Sequence, residues 1–506
     1  MLRKEDPIYA GLAINWRREG EKQRQVYIVE GVCPSDSRTL KTNAADAMTT
    51  CAAILERMIY AKVGGKLLRR QCLPYQHYND ELREFKRKLV KAIGGTCEPC
   101  TAEEFCELYK GRKQTLYKQV LDDYLENGVK RAHSIYTTFM KVEKVPTNKS
   151  PRCIQPRDRR YNIAIGRYLK PHEKRIFRAI AKVFRQKYVV FKGLNATEMG
   201  TEMHSLWSQF TDPVAVGLDA SRFDASVDEG MLQWEHSVYN MIFRSRELRR
   251  YLSWQCRSKG VAYCFDGKIK YHVQGGRGSG DMNTSLGNSM IMCAIVWSWL
   301  QHCGVRAKLA NNGDDCVVIM ERADLEKFSR GFSDFALNLG FTMVVEAPVF
   351  ELEEIEFCQT HPVCVDGEWR MVRNYSTARE KDSMCLFPLD NPGALQSWLY
   401  AVGECGLSLT AGVPVFQSLY EGYMRNGRPS KMSEAVFMQS GSRMMAQGME
   451  AKHQDITPET RLSFFKAFGV TPDEQVAMED YYQTWSCDFH MKVGEDELSC
   501  IGGAPM

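Results

Sequence analysis

Apolar residues recur at helical spacing along residues 42–62, 78–93 and 102–133, and Asn79-Asp80 stands where it can cap the second of these segments. Residues 25–30 read as a strand. A Pro- and Arg-rich block then reads as loop and extended chain, up to a helix near residues 173–184. Residues 213–218 form a short apolar run, expected as a buried strand. Residues 231–244 are helical, and 261–273 suggest a hairpin turning at Asp266-Gly267. A glycine-rich loop at 275–280 opens a long apolar helix running to about Cys303. Two apolar runs, 305–310 and 316–320, flank Asn312-Gly313-Asp314-Asp315, which predicts a tight hairpin with both carboxylates at its tip. An amphipathic helix over 324–339 and a strand over 341–345 follow. From about residue 390 the pattern is helical, ending in an acidic, Gly-rich tail from Val493 that is expected to be disordered. With no repeat and no linker, the expectation is one compact α+β unit with interleaved subdomains.

Composition adds little until it is read locally. The 506 residues are 44% hydrophobic and 25% charged, ordinary for a globular protein large enough for several subdomains. The net charge of +5 is mild, but residues 141–190 hold 15 Lys/Arg against 3 Asp/Glu. Such a concentration is an electrostatic footprint for phosphate, or else a solvated basic face. Eighteen cysteines without regular spacing or a secretory signal fit reduced thiols. Cys97-Glu98-Pro99-Cys100, with Cys106 nearby, lacks a second pair at zinc-site spacing. The longest apolar stretch, residues 290–300, is too short to span a bilayer.

The chemistry lies in four short motifs. Adjacent carboxylates without a cation are costly unless they hold a metal, and hard oxygen ligands suit Mg²⁺, with Mn²⁺ as a substitute. Two such ions can clamp an in-line phosphoryl transfer. Alone, Gly313-Asp314-Asp315 reads as a solvated turn. Asp219, directly after the strand 213–218, can meet the hairpin tip from a neighbouring strand, or can simply cap a helix. Asp224, five residues on, suits a sugar hydroxyl, and the 2′-OH distinguishes RNA from DNA. The loop Gly275–Gly280 offers close backbone approach and a helix N-terminus to anions, or plain capping by Ser279 or Asn283. Thr284 and Asn288 fall on one helix face. The segments 141–144 and 149–157 supply cations for a triphosphate. The absence of Gly-x-x-x-x-Gly-Lys-[Ser/Thr] argues against a P-loop helicase.

In this order, the basic block, Asp-x-x-x-x-Asp, Ser-Gly-x-x-x-Thr-x-x-x-Asn and Gly-Asp-Asp resemble viral RNA-dependent RNA polymerases. Arg152-Cys153-Ile154-Gln155-Pro156-Arg157, Asp219-Ala220-Ser221-Arg222-Phe223-Asp224 and Asn312-Gly313-Asp314-Asp315-Cys316 are similar to those of the tombusvirus-like, carmovirus-related plant viruses (Tombusviridae). The resemblance implies a right hand with an antiparallel palm sheet and fingers closed onto the thumb. Its divisions are 1–212, N-terminal extension and fingers; 213–228, first palm part; 229–274, fingers insertion; 275–385, second palm part; 386–506, thumb and tail. It implies Asp219, Asp314 and Asp315 as catalytic ligands of two Mg²⁺ ions. Asp224, Ser279, Thr284 and Asn288 are implied as the ribose-reading network, Lys144, Lys149, Arg152 and Arg157 as nucleotide contacts, and Lys141 and Gly280 as RNA contacts. Phe357-Cys358-Gln359 resembles the primer-grip turn. One departure stands out: no lysine lies between 328 and 380, so the general acid for pyrophosphate is unassigned, with Arg370 and Arg373 as candidates.

The resemblance also implies a viral RNA template and NTPs, a viral auxiliary replication protein, host factors and primer-independent initiation. It implies work in the host cytoplasm, in membrane-associated complexes. Because no anchor is read in residues 1–506, attachment is expected through an upstream portion absent from this chain. Two other readings remain at this point. A reverse transcriptase is disfavoured by Asn312 in place of an aromatic and by Asp224. An RNA-binding scaffold would have no use for carboxylates concentrated near a polyanion, and divalent-metal dependence of incorporation separates it from an enzyme.

Overall fold

A four-stranded antiparallel sheet positions the acidic motifs, in the order Ala307–Asn312, Asp315–Glu321, Pro213–Ala220, Met343–Val345. This computed structural model describes residues 12–17, 26–33, 39–63, 66–69, 72–440, 442–493 and 498–505. Both faces of the sheet are covered. Val214, Val216, Leu218, Val318 and Met320 share a core with the helix Thr284–Cys303. Ala215, Val317 and Ile319 instead meet Met199, Met203 and Leu206 of the helix Ala196–Trp207. Successive side chains point to opposite faces, so double burial explains why these strands read as unbroken apolar runs.

A five-stranded sheet, in the order Leu12–Trp16, Gly267–Gln274, Arg257–Tyr263, Tyr136–Met140, Cys153–Ile154, carries the basic segment. Phe139 and Met140 pair with Ile154 and Cys153, which makes residues 141–152 the loop of a hairpin. The C-terminal helices Pro392–Thr410, Phe416–Arg425, Pro458–Phe468 and Pro472–Thr484 surround a separate core that includes Trp398, Phe416, Tyr420, Phe464 and Trp485. The N-terminal segment ties the two ends of the molecule together. Leu12–Trp16 edges the five-stranded sheet, while Val26–Val29 pairs with Met384–Cys385 and Leu498–Pro505. Tyr481 and Tyr482 donate their hydroxyls to the carbonyls of Gly31 and Val32.

Several expectations need correction. The helix expected over 42–62 spans Ala47–Ile54, passes into a π turn at Leu55–Ile59 and gives way to a strand, Tyr60–Val63, paired with Lys66–Arg69. Asn79-Asp80 caps nothing: both lie inside the helix Tyr75–Glu81, where Asn79 accepts a hydrogen bond from Lys86. The 102–133 segment is three helices, Ala102–Glu107, Gly111–Lys118 and Leu121–Asn127, and a short 3₁₀ helix, Arg131–Ser134; Gly111 takes positive φ where the second begins and Gly128 where the third ends. The basic block is not all extended. Asp158 caps a helix, Arg159–Leu169, whose apolar face the arginines obscure in the sequence. Gly331, at φ +91°, splits the 324–339 helix into Leu325–Ser329 and Phe332–Asn338. Far from being disordered, Leu498–Pro505 is a strand beside Trp485–Val493. Residue 25 of the expected first strand, and 494–497 and 506 of the tail, lie outside the described residues.

Candidate active site

The acidic hairpin is tighter than its sequence suggests. Asn312 pairs with Asp315, so the loop is only Gly313-Asp314, with Gly313 at φ +91° as two-residue loops with a leading glycine require. Asp314 alone sits at the tip, and Asp315 opens the second strand. That strand runs antiparallel to Pro213–Ala220, with Cys316 opposite Leu218, which brings Asp315 beside Asp219. On its other side Asp219 pairs with Val344. The next residues lead to Glu346, whose carboxylate fills the space left by Gly217. A Cβ there would stand 1.8 Å from Glu346 Oε2.

These groups line a cavity of about 1230 Å³. Asp219, Asp224, Asp314, Asp315, Glu346 and Glu356 are among its acidic lining residues, and Arg57, Lys141, Lys144, Lys149, Arg152 and Arg222 among its basic ones. Asp219 and Asp314 have no hydrogen-bond or ion-pair partner among the described residues. Asp315 is tied down, accepting the Cys358 backbone N–H at 2.7 Å. Burial, with Asp314 adding its charge, pushes the Asp315 carboxyl up to about 6 against that hydrogen bond. Cys358 and Gln359 both hold positive φ in the turn Phe357–Thr360, and Asn312 Nδ2 lies 2.9 Å from Cys358 Sγ. The turn thus anchors both sides of the hairpin base.

Asp224 lies at the second corner. Burial pushes its carboxyl up to about 6, while the hydrogen bond from Asn288 Nδ2, at 2.8 Å, works the other way. Asn288 is aimed by Arg277, whose Nε donates to its Oδ1 at 3.0 Å. Arg277 is fully buried and paired with the equally buried Glu235, which also accepts from Tyr239 and Asn283. The glycine-rich loop therefore carries a buried arginine that borders the cavity and reaches Asn288. Asn283, buried at the helix start, bonds Glu235 and Gln255.

The structure divides the other expected residues. Ser279 lines the cavity, with its N–H bonded to Gln155. Thr284 does not; its hydroxyl donates to Gly278 O and closes the loop. Gly280 passes so close to Gln155 that a Cβ would stand 2.9 Å from that backbone, so packing explains this glycine. Arg157 is removed from the nucleotide contacts. Its guanidinium is buried against Asp281, the Ser134 carbonyl and the Tyr136 hydroxyl, outside the cavity. Arg152 and Lys141 face the cavity but share Glu143 as partner, whereas Lys149 has none among the described residues. Lys144 donates to Lys381 O, and burial lowers its ammonium to about 8 against the pull of Asp382. Of the candidate acids, Arg370 is spent on Ala411 O, and Arg373 on Asp382 and Tyr420.

Sequence reasoning missed Glu346, Glu356, Arg57, Arg222 and Lys381, which all line the cavity. Arg222 lies inside the Asp219–Asp224 motif, and Lys381 stands one residue beyond the lysine-free stretch. Arg57 offered no signal, since it reaches the cavity from the π turn, a feature common at functional sites. Arg222 is held by Glu56 at 3.0 Å. The oxygen-only donor set of Asp219, Asp314 and Asp315 suits a hard dication. Among the described residues no three His, Cys, Asp or Glu side chains already converge to hold an ion. Unpaired carboxylates repel one another, and a cation would draw them together.

Residues 13–490 match the viral RNA dependent RNA polymerase family. The RNA-directed RNA polymerase of Tomato bushy stunt virus (strain Cherry) is 38% identical over 480 residues, covering 94% of this chain and 58% of its own length. That of Turnip crinkle virus is 38% identical over 459 residues, 88% of this chain and 58% of its own length. That of Tobacco necrosis virus (strain A) is 38% identical over 488 residues, covering 95% and 67%. The chain thus spans a little over half the length of the first two relatives.

Proposed function

The chain belongs to the viral RNA-dependent RNA polymerases, and on that premise we propose that it is the catalytic portion of an enzyme copying positive-strand viral RNA. The reaction is nucleotidyl transfer: the 3′-hydroxyl of the growing RNA attacks the α-phosphate of an NTP, and pyrophosphate leaves. The observation that carries this reading is the pair of partnerless carboxylates, Asp219 on a strand and Asp314 at the tip of the adjoining hairpin, that share one cavity with a cationic loop. Asp219, Asp314 and Asp315 would hold two Mg²⁺ ions, with Mn²⁺ able to substitute. When bound, these ions supply positive charge to the attacking and leaving oxygens.

The chain's own residues do the rest. Lys149, Arg152 and Arg222 hold the triphosphate by charge. Asp224, fixed by Asn288 and Arg277, accepts a hydrogen bond from the ribose 2′-hydroxyl, and Ser279 borders the same corner. In this reading residues 1–212 are N-terminal extension and fingers, 213–228 and 275–385 the palm, 229–274 a fingers insertion and 386–506 the thumb and tail. The N-terminal segment then makes the closed fingertips. Initiation is primer-independent, and the partners are the RNA template, NTPs, a viral auxiliary replication protein and host factors. The work takes place in membrane-associated complexes of the host cytoplasm; no helix among the described residues is long and apolar enough to cross a membrane.

The test is incorporation of labelled NTPs on a short RNA template with Mg²⁺ or Mn²⁺, wild type against Asp314→Ala. Wild-type incorporation lost in the variant, with RNA binding retained, is expected. Extension by Asp314→Ala at the wild-type rate would remove the carboxylate assignment.

A further inference from the structure

The basic block divides in two. Residues 141–152 face the cavity, but the stretch 174–192, with seven Lys/Arg and no Asp/Glu, contributes nothing to its lining. Its helix, Glu173–Phe184, buries Ile176, Ala179, Ile180 and Phe184 in the main core. The opposite stripe, Lys174, Arg178 and Lys182, is exposed, and Arg185 extends it. None of these four has a side-chain partner among the described residues. Four residues of helix place successive charges about 6 Å apart, close to the separation of neighbouring phosphates on a single strand.

The stripe leads to the acidic hairpin. Beyond the helix, Val189–Phe191 runs parallel to the edge strand: Asn311 N–H donates to Val189 O at 2.8 Å, and Phe191 N–H to Asn311 O at 2.9 Å. The next residue, Lys192, sets its ammonium 3.3 Å from where a Cβ on Gly313 would stand. It makes no ion pair with Asp314. Lys308, on the edge strand, reaches Arg185 O and adds a cation alongside.

We propose that this ridge is a second RNA site, outside the catalytic cavity, which holds the phosphates of single-stranded RNA continuous with the strand at the hairpin. Its continuity with a reacting strand rests on the polymerase reading. A membrane surface fits less well, because the helix has already buried its apolar face in the core and has none left to insert.

The test uses the full chain and a variant carrying Lys174→Gln, Arg178→Gln, Lys182→Gln and Arg185→Gln, with thermal unfolding as the check on folding. Binding of a long single-stranded RNA and of a short oligonucleotide filling only the cavity is followed by anisotropy over a KCl series. For the long RNA, the slope of log affinity against log salt should fall by about 2–3, at roughly 0.7 for each phosphate no longer neutralised. Short-oligonucleotide binding and incorporation on a short template should not change. Equal slopes for variant and wild type on the long RNA overturn the proposal, as does an equal loss on the short one. So does loss of binding only to phosphatidylserine vesicles, which would assign the ridge to a membrane. If wild type incorporates no nucleotide yet the long-RNA slope falls as stated, the ridge stands and the polymerase reading falls.

Discussion

Arg277→Met separates stability from function. Arg277 and Glu235 are an ion pair with both side chains fully buried. Removing the arginine strands a carboxylate that keeps only the Tyr239 hydroxyl and the Asn283 amide. Breaking one side of such a pair costs about 3–5 kcal/mol. Adding Glu235→Gln removes the charge while keeping an oxygen for Tyr239 and Asn283, so the double variant should regain about 2 kcal/mol or more of that loss. Function should not follow. Both variants lack the donor that aims Asn288, and Asn288 is what holds Asp224. On the proposed reading, preference for NTP over dNTP should fall about tenfold in both, the effect of one hydrogen bond of about 1.4 kcal/mol. Urea unfolding followed by tryptophan fluorescence measures the first effect, and single-nucleotide incorporation the second. If the double variant is as unstable as the single one, the pair is not the source of the cost. If discrimination returns along with stability, Arg277 does not act through Asn288.

Other perturbations probe the frame. In Gly200→Ala, the new Cβ would meet the backbone of Trp369 and Arg370 at 2.6 Å, and backbone cannot swing aside. A loss of about 1–3 kcal/mol is expected in the same unfolding assay. Burial lowers the His236 imidazole to about 4, so between about pH 6.5 and 4 the unfolded chain takes up the proton first. Stability should therefore fall as the pH drops through that window, and the fall should be shallower in His236→Gln. Arg157→Met should lower stability by about 3–5 kcal/mol, because it strands Asp281. Lys149→Ala should leave unfolding unchanged and raise the NTP KM about two- to fivefold, as for an exposed charge. The reverse pattern would put Arg157 back among the nucleotide contacts.

The pattern of apolar residues located the central sheet because its strands are buried on both faces, and it located the hairpin because Asn-Gly between two such runs leaves few alternatives. It failed where polar composition hid an amphipathic helix, as at Arg159–Leu169, and where a single glycine such as Gly331 divided a periodic stretch. Pairing between the chain's two ends was out of reach: nothing in Val26–Val29 announces a partner some 470 residues away. At the site, motif spacing found the carboxylates because they lie on adjacent elements. It could not tell a cation facing the cavity from one facing inward. Arg152 and Arg157 occupy the same short segment, and only the strand they leave and the acid each meets, Glu143 or Asp281, separates them.

That separation shows how the site is built. Nearly every polar group around the hairpin is committed: Asp315 to the Cys358 N–H, Asn312 to Cys358 Sγ, Asn311 Nδ2 to Gly313 O at 2.7 Å and Asp224 to Asn288. Asp219, on its strand, and Asp314, at the hairpin tip, are left without a hydrogen-bond or ion-pair partner among the described residues. A carboxylate held in place but unneutralised is costly, and the cost is sustained only because the surrounding core and turns over-determine its position. Cys358 and Gln359, two non-glycine residues at positive φ, belong to the turn that holds the hairpin base. The strained turn and the free carboxylates thus belong together: the turn fixes the hairpin whose tip, Asp314, lines the same cavity as Asp219.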